Sequence, residues 1–491
     1  MKLPFYDEKL FGNLAGEDEE LSILKSSFYE HEMFNKFYEE DRKLSIVSAR
    51  KGMGKSALLK FLVAKLESEQ KYNNPLIIYV KGNDLLELGE FNGKDHSYLE
   101  NYWKKVICKK IMITLGANIG VALTSDNMTL VEMAELDGYK SKNFVGGLIS
   151  RLKNKLPKLD VELTQNIPEN YESILDRYFE KYANQTVWIL VDDIDSKFKN
   201  NEDYQNRVGS FFSAIRSLAF DFNNLRVRAT VRSDVWACLR HLEDLDKIDQ
   251  YIIEIFWNTK LMRYILAKKI LSYIQRYHSE SKEAKLKVER DYNQLIEMVF
   301  ESPIYWNEKK DAHIFDAING FSNKRPRWML QLCQISGEEA YKESKVNKKV
   351  KLDHFNYALE AFGRKRKDDL IKEHSHQFEE LSQLIDAFRA MDKEFNYSYV
   401  INVIEQKYIR GRDPALIPKI DGVFYRHPED LADFLYKLGI FSRIHEDRKK
   451  FTHFVDDPDL FRSIENKNDE ITWSIHLAYR DFLRIRHVTE N

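Results

Sequence analysis

The chain has 491 residues, of which 31% are charged and 43% hydrophobic, with a formal net charge of −2. This composition excludes a disordered or fibrous chain and leaves room for about two to four globular domains. The near-neutral balance excludes attraction to nucleic acid or membrane through overall charge; such binding would need basic residues concentrated locally.

Cys108, Cys238 and Cys333 are odd in number and widely scattered. They argue against a disulfide framework or a metal cluster and fit a reducing compartment. No apolar run approaches the roughly 20 residues that span a bilayer, and Met1–Asp7 lacks a signal-peptide core. The expectation is a cytoplasmic protein with no membrane contact. Few prolines and glycines and no low-complexity tract point to compact, mainly helical domains.

Residues 1–18 read as a loop-like arm containing Phe11 and Asn13. Either could cover a bound base, although Phe11 also fits the part of an ordinary packing aromatic. A helix is expected from Leu21 to about Asp41, with Leu21, Leu24, Phe28 and Phe34 as its apolar positions. Then comes Ser45-Ile46-Val47-Ser48-Ala49-Arg50-Lys51-Gly52-Met53-Gly54-Lys55-Ser56. A short apolar strand enters a glycine-containing turn, and a helix with Leu58, Leu59, Leu62 and Leu66 follows. That is the order of a phosphate-binding loop. Gly52 and Gly54 permit the torsions and close approach needed for backbone N–H groups to wrap a polyphosphate. The nucleotide-binding stretch is therefore Ala49, Arg50, Lys51, Gly52, Met53, Gly54, Lys55, Ser56 and Ala57. In it Lys55 reaches the outer phosphates and the Ser56 hydroxyl ligates Mg²⁺. Ala49 stands where the pattern usually has its first glycine.

Pro75–Val80 reads as a second strand, apolar enough for a covered sheet, and a helix is expected over about His96–Gly116. Residues 120–165 are weakly patterned; Gly146-Gly147 and Lys153, Lys155 and Lys158 suggest an insertion on the domain rim. Thr186–Val191 is a buried strand that runs into Asp192-Asp193-Ile194-Asp195. Carboxylates at the carboxyl edge of a parallel sheet lie where such sheets bind ligands. Asp192 is assigned to Mg²⁺, and Asp193 or Asp195 to orienting or deprotonating the attacking water. After a helix over about Asp203–Phe222, Leu225–Val231 is a further strand. It ends at Arg232, placed to touch a γ-phosphate and so tell triphosphate from diphosphate. Tyr251–Phe256 completes the sheet.

From Asn258 the chain turns almost wholly helical. Pro326 opens a helix near whose start Arg327, with Arg325 as its rival, can reach back from a helical lid to the nucleotide. Residues 363–378, with Arg364-Lys365-Arg366-Lys367, read as a polar linker. Beyond it lie helices at about Phe378–Met391, Tyr397–Gln406 and Pro428–Leu438, then a ribbon of Gly439–Ile444 and Phe451–Val455. Three helices followed by a two-stranded ribbon form a winged-helix-like pattern, with Trp473–Leu483 packed back upon it and His476 a core histidine. The expected organisation is an N-terminal arm and helix (1–42), a P-loop α/β domain with a parallel sheet flanked by helices (43–257), a helical lid (258–362) and a winged-helix-like domain (363–491).

With these residues in hand, the chain resembles the STAND and KAP-like bacterial P-loop ATPases, relatives of AAA+ proteins. The likeness lies in Gly52-Met53-Gly54-Lys55-Ser56, the Asp192–Asp195 strand end, Arg232 after a strand and Arg327 in the lid. It implies ATP and Mg²⁺ as cofactors, Arg232 as a γ-phosphate sensor and Arg327 as a second sensor. It also implies a slow or regulated ATPase switch that controls a homo-oligomer or a separate effector protein. Many such proteins act in bacterial defence against phage. ATP rather than GTP is expected, because no Asn-Lys-x-Asp guanine-reading motif is present. The alternative is a DNA-binding initiator or loader ATPase that uses the C-terminal winged helix. Pro428–Leu438 argues against it, since Lys437 is its only basic residue against Glu429, Asp430 and Asp433.

Overall fold

The computed structural model of the protein describes residues 3–485, except 17, 70, 73–74, 83–90, 120–123, 137–167, 197, 200, 240–241, 307–308, 346–347, 376, 426, 446–450, 455–456, 458, 464–466 and 468. Most of the expected insertion, including Gly146, Gly147, Lys153, Lys155 and Lys158, lies outside the described residues. The chain divides into two compact units, Met1–Tyr29 with Trp257–Asn491, and Glu30–Phe256. The first segment carries α1 (Glu8–Phe11) and α2 (Leu21–Ser27).

The Glu30–Phe256 unit contains α3 (Asn35–Tyr38), β1 (Leu44–Ser48), α4 (Lys55–Ser68), β2 (Leu76–Lys81), α5 (His96–Asn118), α6 (Ser125–Leu136) and α7 (Tyr171–Lys181). It continues with β3 (Val187–Asp192), α8 (Glu202–Asp221), β4 (Leu225–Val231), α9 (Ser233–Leu239) and β5 (Ile252–Glu254). The five strands form one parallel sheet in the order β2-β3-β4-β1-β5. This is a P-loop sheet flanked by helices. β1 and β3 are buried along their whole length, as continuous apolar runs in a sheet covered on both faces must be. One face packs on α5 and α8 through Trp103, Ile107, Phe211, Phe212 and Ile215, with the Trp103 and Phe211 rings edge to face at 5.5 Å.

Two expectations are corrected in this part of the chain. β2 is an edge strand rather than a fully covered one. Ile78 and Val80 are buried but Tyr79 between them is 36% exposed; among the described residues nothing pairs beyond β2 in the sheet order. The single helix from Leu21 to Asp41 is broken as well: Phe28 takes an extended ψ of 130°. His31 Nδ1 then accepts from the Met33 N–H at 3.1 Å and starts a new short turn, the kind of local side-chain capping that competes with a continuous helix.

In the other unit, α1 and α2 pack on α10 (Thr259–Tyr277). α11 (Val288–Glu297), the hairpin β6 (Ile304–Trp306) and β7 (Lys309–Ala312), α12 (Ile314–Ser322), α13 (Pro326–Glu343) and α14 (Leu352–His374) follow. The C-terminal part runs α15 (Leu381–Asp386), β8 (Glu394–Phe395), α16 (Tyr397–Ile404), α17 (Pro428–Leu438), β9 (Phe441–Ile444), β10 (Phe451–Thr452), β11 (Thr472–Ile475) and α18 (Leu477–Leu483). Its four strands pair antiparallel in the order β10-β9-β11-β8. Among the described residues, no helix is long and apolar enough to cross a membrane.

The polar linker expected at 363–378 is instead mostly the second half of α14. Phe355, Leu359, Phe362 and Leu370 keep helical spacing through the charge run and are buried, and that apolar stripe decides the conformation. Arg366 is only 1% exposed, with its guanidinium 5.0 Å from both the Trp328 and the Phe362 rings. The expected two-stranded ribbon is enlarged to four strands by β8 and β11. The Trp473–Leu483 stretch splits into β11 and α18 at His476, whose Nδ1 accepts from the Ala478 N–H at 3.2 Å.

Candidate functional site

The carboxyl ends of β1, β3 and β4 are tied together. Beyond β1, the Ala49 N–H donates to Val231 O at 3.2 Å, and Ala49 O accepts from the Ser233 N–H at 3.3 Å. The same carbonyl accepts from Lys55 Nζ at 2.9 Å, and Arg50 O lies 3.4 Å from that ammonium. Lys55 opens α4 and is buried, while Ser56 and Ala57 are half-buried in its first turn. The left-handed positions of the loop are Gly52 (φ 81°) and Gly54 (φ 100°). A Cβ on Gly54 would meet no atom within 4 Å, so torsion and not space requires glycine there. Ala49 is not among the positive-φ residues, which explains how a side chain is tolerated where the pattern has glycine.

Asp192 ends β3 and is buried. Its Oδ1 accepts from Thr230 Oγ1 at 2.6 Å and its Oδ2 from the Tyr79 hydroxyl at 3.2 Å. The Thr230 hydroxyl also accepts from the Asp193 N–H at 3.2 Å. Since Thr230 pairs in register with Val47 of β1, one hydroxyl couples the acidic strand end to the strand that feeds the loop. Asp193 is exposed and left-handed, with φ 55°. Next to its carbonyl sits Gly82, where a Cβ would come within 2.3 Å of Asp193 O and 2.5 Å of Ile194 Cα.

Asp195 is buried; Oδ2 accepts from the Arg232 N–H at 2.7 Å, and among the described residues Oδ1 has no hydrogen-bond partner. Burial pushes its carboxyl above the usual range, against the pull of Lys55 and Arg232. The Arg232 guanidinium is ion-paired to the Asp234 carboxylate, with Nε 3.2 Å from Asp234 Oδ1. Thus Ala49–Ala57, the three aspartates and Arg232 meet at one edge of the sheet. The sequence reading missed Tyr79, Gly82 and Thr230, none of which carries a local signal.

Phe11, Asn13 and Arg327 belong to the other unit. Phe11 is fully buried, its ring 6.2 Å from that of Phe300, the surroundings of a packing aromatic. Asn13 donates its N–H to Glu19 Oε2 at 2.8 Å. Arg327 Nε donates to Leu14 O at 3.0 Å, on the same arm. Its rival Arg325 is buried, with the guanidinium 4.5 Å from the Trp328 ring.

No family model matches the chain, and no curated protein matches its sequence. Among solved structures, the chain is similar to the ORC1 protein of Aeropyrum pernix in complex with DNA, at 12% identity over 94% of this chain and 90% of that one, with a TM-score of 0.35. It is also similar to Cdc6p from Pyrobaculum aerophilum, at 11% identity over 97% and 98% of the two chains, TM-score 0.34. A third is the Aeropyrum pernix ORC2 protein (ADPNP-ADP complexes), at 9% identity over 92% and 91%, TM-score 0.39.

Proposed function

We propose that the protein is an ATPase switch that binds ATP with Mg²⁺ at Ala49–Ala57. The observation that carries this reading is the hydrogen-bonded tie of the glycine loop, through Ala49, to the strand tip bearing Arg232. A change in the phosphates held by the loop thereby reaches an arginine already paired with a carboxylate. The donor set fits the cofactors: left-handed glycines for backbone approach, Lys55 for the outer phosphates, and Ser56 with Asp192 as hard oxygen ligands for Mg²⁺. When bound, Mg²⁺ neutralises charge on the phosphates.

The remaining roles fall to this chain's side chains. Thr230 and Tyr79 hold the Asp192 carboxylate in one orientation. Asp193, exposed at the tip, or Asp195, buried behind it, orients the attacking water. Arg232 exchanges Asp234 for the γ-phosphate and reports the triphosphate state. Arg327 is proposed as the second sensor, from the resemblance alone. Phage defence likewise rests on that resemblance, as does a separate effector or homo-oligomer as the output. The initiator reading is less favoured: in α17, Asp433 is already paired with Arg462 at 2.8 Å, while Glu429 and Asp430 keep its first turn acidic.

Particle mass by light scattering, with ADP and with a non-hydrolysable ATP analogue, tests the switch. The expected outcome is a mass change with the triphosphate only, abolished in Lys55→Ala and Arg232→Ala. Loss of the Lys55 contact should weaken ATP binding about 10- to 100-fold, as for a charge-assisted bond. Retained affinity in Lys55→Ala would overturn the site, and a salt-sensitive shift with duplex DNA would favour the initiator reading.

A further inference from the structure

The unit formed by residues 1–29 and 257–491 contains a cavity of about 580 Å³. It lies between the α12–α13 turn, the β9–β10 ribbon and the start of α18. Its volume is within the range of small-molecule sites. Nothing in the proposed ATPase reading uses it.

Its wall is built to attract an anion. Arg480 is fixed by two bonds to β11, Nε donating to Ile475 O at 2.8 Å and Nη2 to Ser474 Oγ at 2.7 Å. Its Nη1 has no protein acceptor among the described residues. Lys324 supplies a second cation from a turn in which Asn323 (φ 50°) and Lys324 (φ 54°) are left-handed in succession. Asparagine accepts that region readily, whereas lysine is held there under strain of a kind that clusters at binding sites. Three histidines, His445, His453 and His476, add donors. Among the described residues of the wall the one carboxylate, Asp316, is already paired with Arg263 Nη2 at 2.9 Å.

The cavity is also larger than an inorganic phosphate needs, and it has a flat aromatic side. Phe451 is 43% exposed, and its ring stacks on His453 at 6.5 Å with planes 24° apart. The His453 and His476 rings are 6.0 Å apart, so the stacked pair runs toward the cationic floor. We propose that this cavity binds an organic phosphate of about mononucleotide size, its phosphate on Arg480, Lys324 and the histidines and its planar ring against Phe451.

The test uses the full chain carrying Lys55→Ala, so that the glycine loop does not contribute, titrated calorimetrically with AMP, adenosine and inorganic phosphate. AMP is expected to bind, phosphate to bind at least tenfold more weakly, and adenosine not to bind. Lys324→Glu, a change at an exposed position, should weaken AMP at least tenfold while leaving the thermal midpoint unmoved. Phe451→Ala should bring AMP down to the affinity of phosphate. If neither AMP nor phosphate binds at millimolar concentration, or if Lys324→Glu leaves AMP affinity unchanged, the site is overturned. Adenosine binding as tightly as AMP would overturn the phosphate assignment, and phosphate binding as tightly as AMP would overturn the ring assignment.

Discussion

Strand β4 carries Arg226 and Arg228 within its length and Arg232 lies just past its end; Arg228 and Arg232 have opposite surroundings. Arg228 is fully buried. Nε donates to Phe37 O at 2.6 Å, Nη2 to Glu39 O at 2.6 Å and Nη1 to Val227 O at 2.9 Å, and the guanidinium lies 4.7 Å from the Trp188 ring. Burial, with help from Arg226 and Arg42, lowers its pKa to about 9, so it remains charged at neutral pH. Two of its acceptors are carbonyls at the end of α3, groups with no partner inside the helix. Arg232 instead pairs with a side chain, the Asp234 carboxylate. Main-chain carbonyls cannot move away from an arginine, whereas a side-chain carboxylate can be traded for phosphate oxygens. The first arginine is a strut and the second a contact that can be exchanged.

That contrast breaks if the two arginines respond alike to removal. Arg228→Met should cost about 3–5 kcal/mol in urea unfolding, since it strands several buried carbonyls at about 1–3 kcal/mol each. Arg232→Ala should cost no more than about 1 kcal/mol while removing the triphosphate response. Equal losses of stability would mean that Arg232 is also a strut. Gly82→Ala comes next. Its Cβ would lie 2.3 Å from Asp193 O, and forcing the backbones apart should cost about 2–3 kcal/mol. Because the displaced segment bears the acidic tip, hydrolysis should fall further than the unfolding free energy suggests.

Thr230→Val sharpens the comparison at smaller cost. The shape is kept, but Asp192 Oδ1 and the Asp193 N–H lose their shared partner, for about 1–2 kcal/mol. Hydrolysis should drop with ATP affinity nearly unchanged, because Thr230 acts through Asp192. An equal loss of both would place Thr230 in the binding loop's support instead.

The sequence disclosed what depends on local pattern. β1 and β3 are largely apolar runs, β4 alternates Leu225, Val227, Ala229 and Val231 with Arg226, Arg228 and Thr230, and the loop between β1 and α4 declares itself by Gly52, Gly54, Lys55 and Ser56. Thr230, Tyr79 and Gly82 were invisible because their roles arise from adjacency: β3 lies between β2 and β4, and no single segment records which strands are neighbours. β11 was missed for the same reason, since its partners β8 and β9 lie far away in the chain. α14 was misread for a different one. Four consecutive basic residues hid an apolar stripe that continues on both sides of them, and a long side chain such as Arg366 can be buried when aromatic rings receive its guanidinium.

Asp195 offers the smallest and most discriminating change. Its folded pKa lies above its unfolded value, so the native state favours the protonated form. The resulting stabilisation is complete below the unfolded pKa, near 4, and is lost as pH rises through the folded pKa. At pH 7 this buried carboxyl is therefore a burden, and among the described residues its Oδ1 has no hydrogen-bond partner. Asp195→Asn keeps an oxygen for the Arg232 N–H and removes the charge, so it should raise stability by about 1 kcal/mol at pH 7 and by nothing below about pH 4. Asp195→Ala, which abandons the Arg232 N–H, should not stabilise. If Asp195 orients the attacking water, the asparagine variant binds ATP and does not hydrolyse it. If hydrolysis survives, that role passes to Asp193, and Asp195 joins Arg228 as a buried group that braces the sheet.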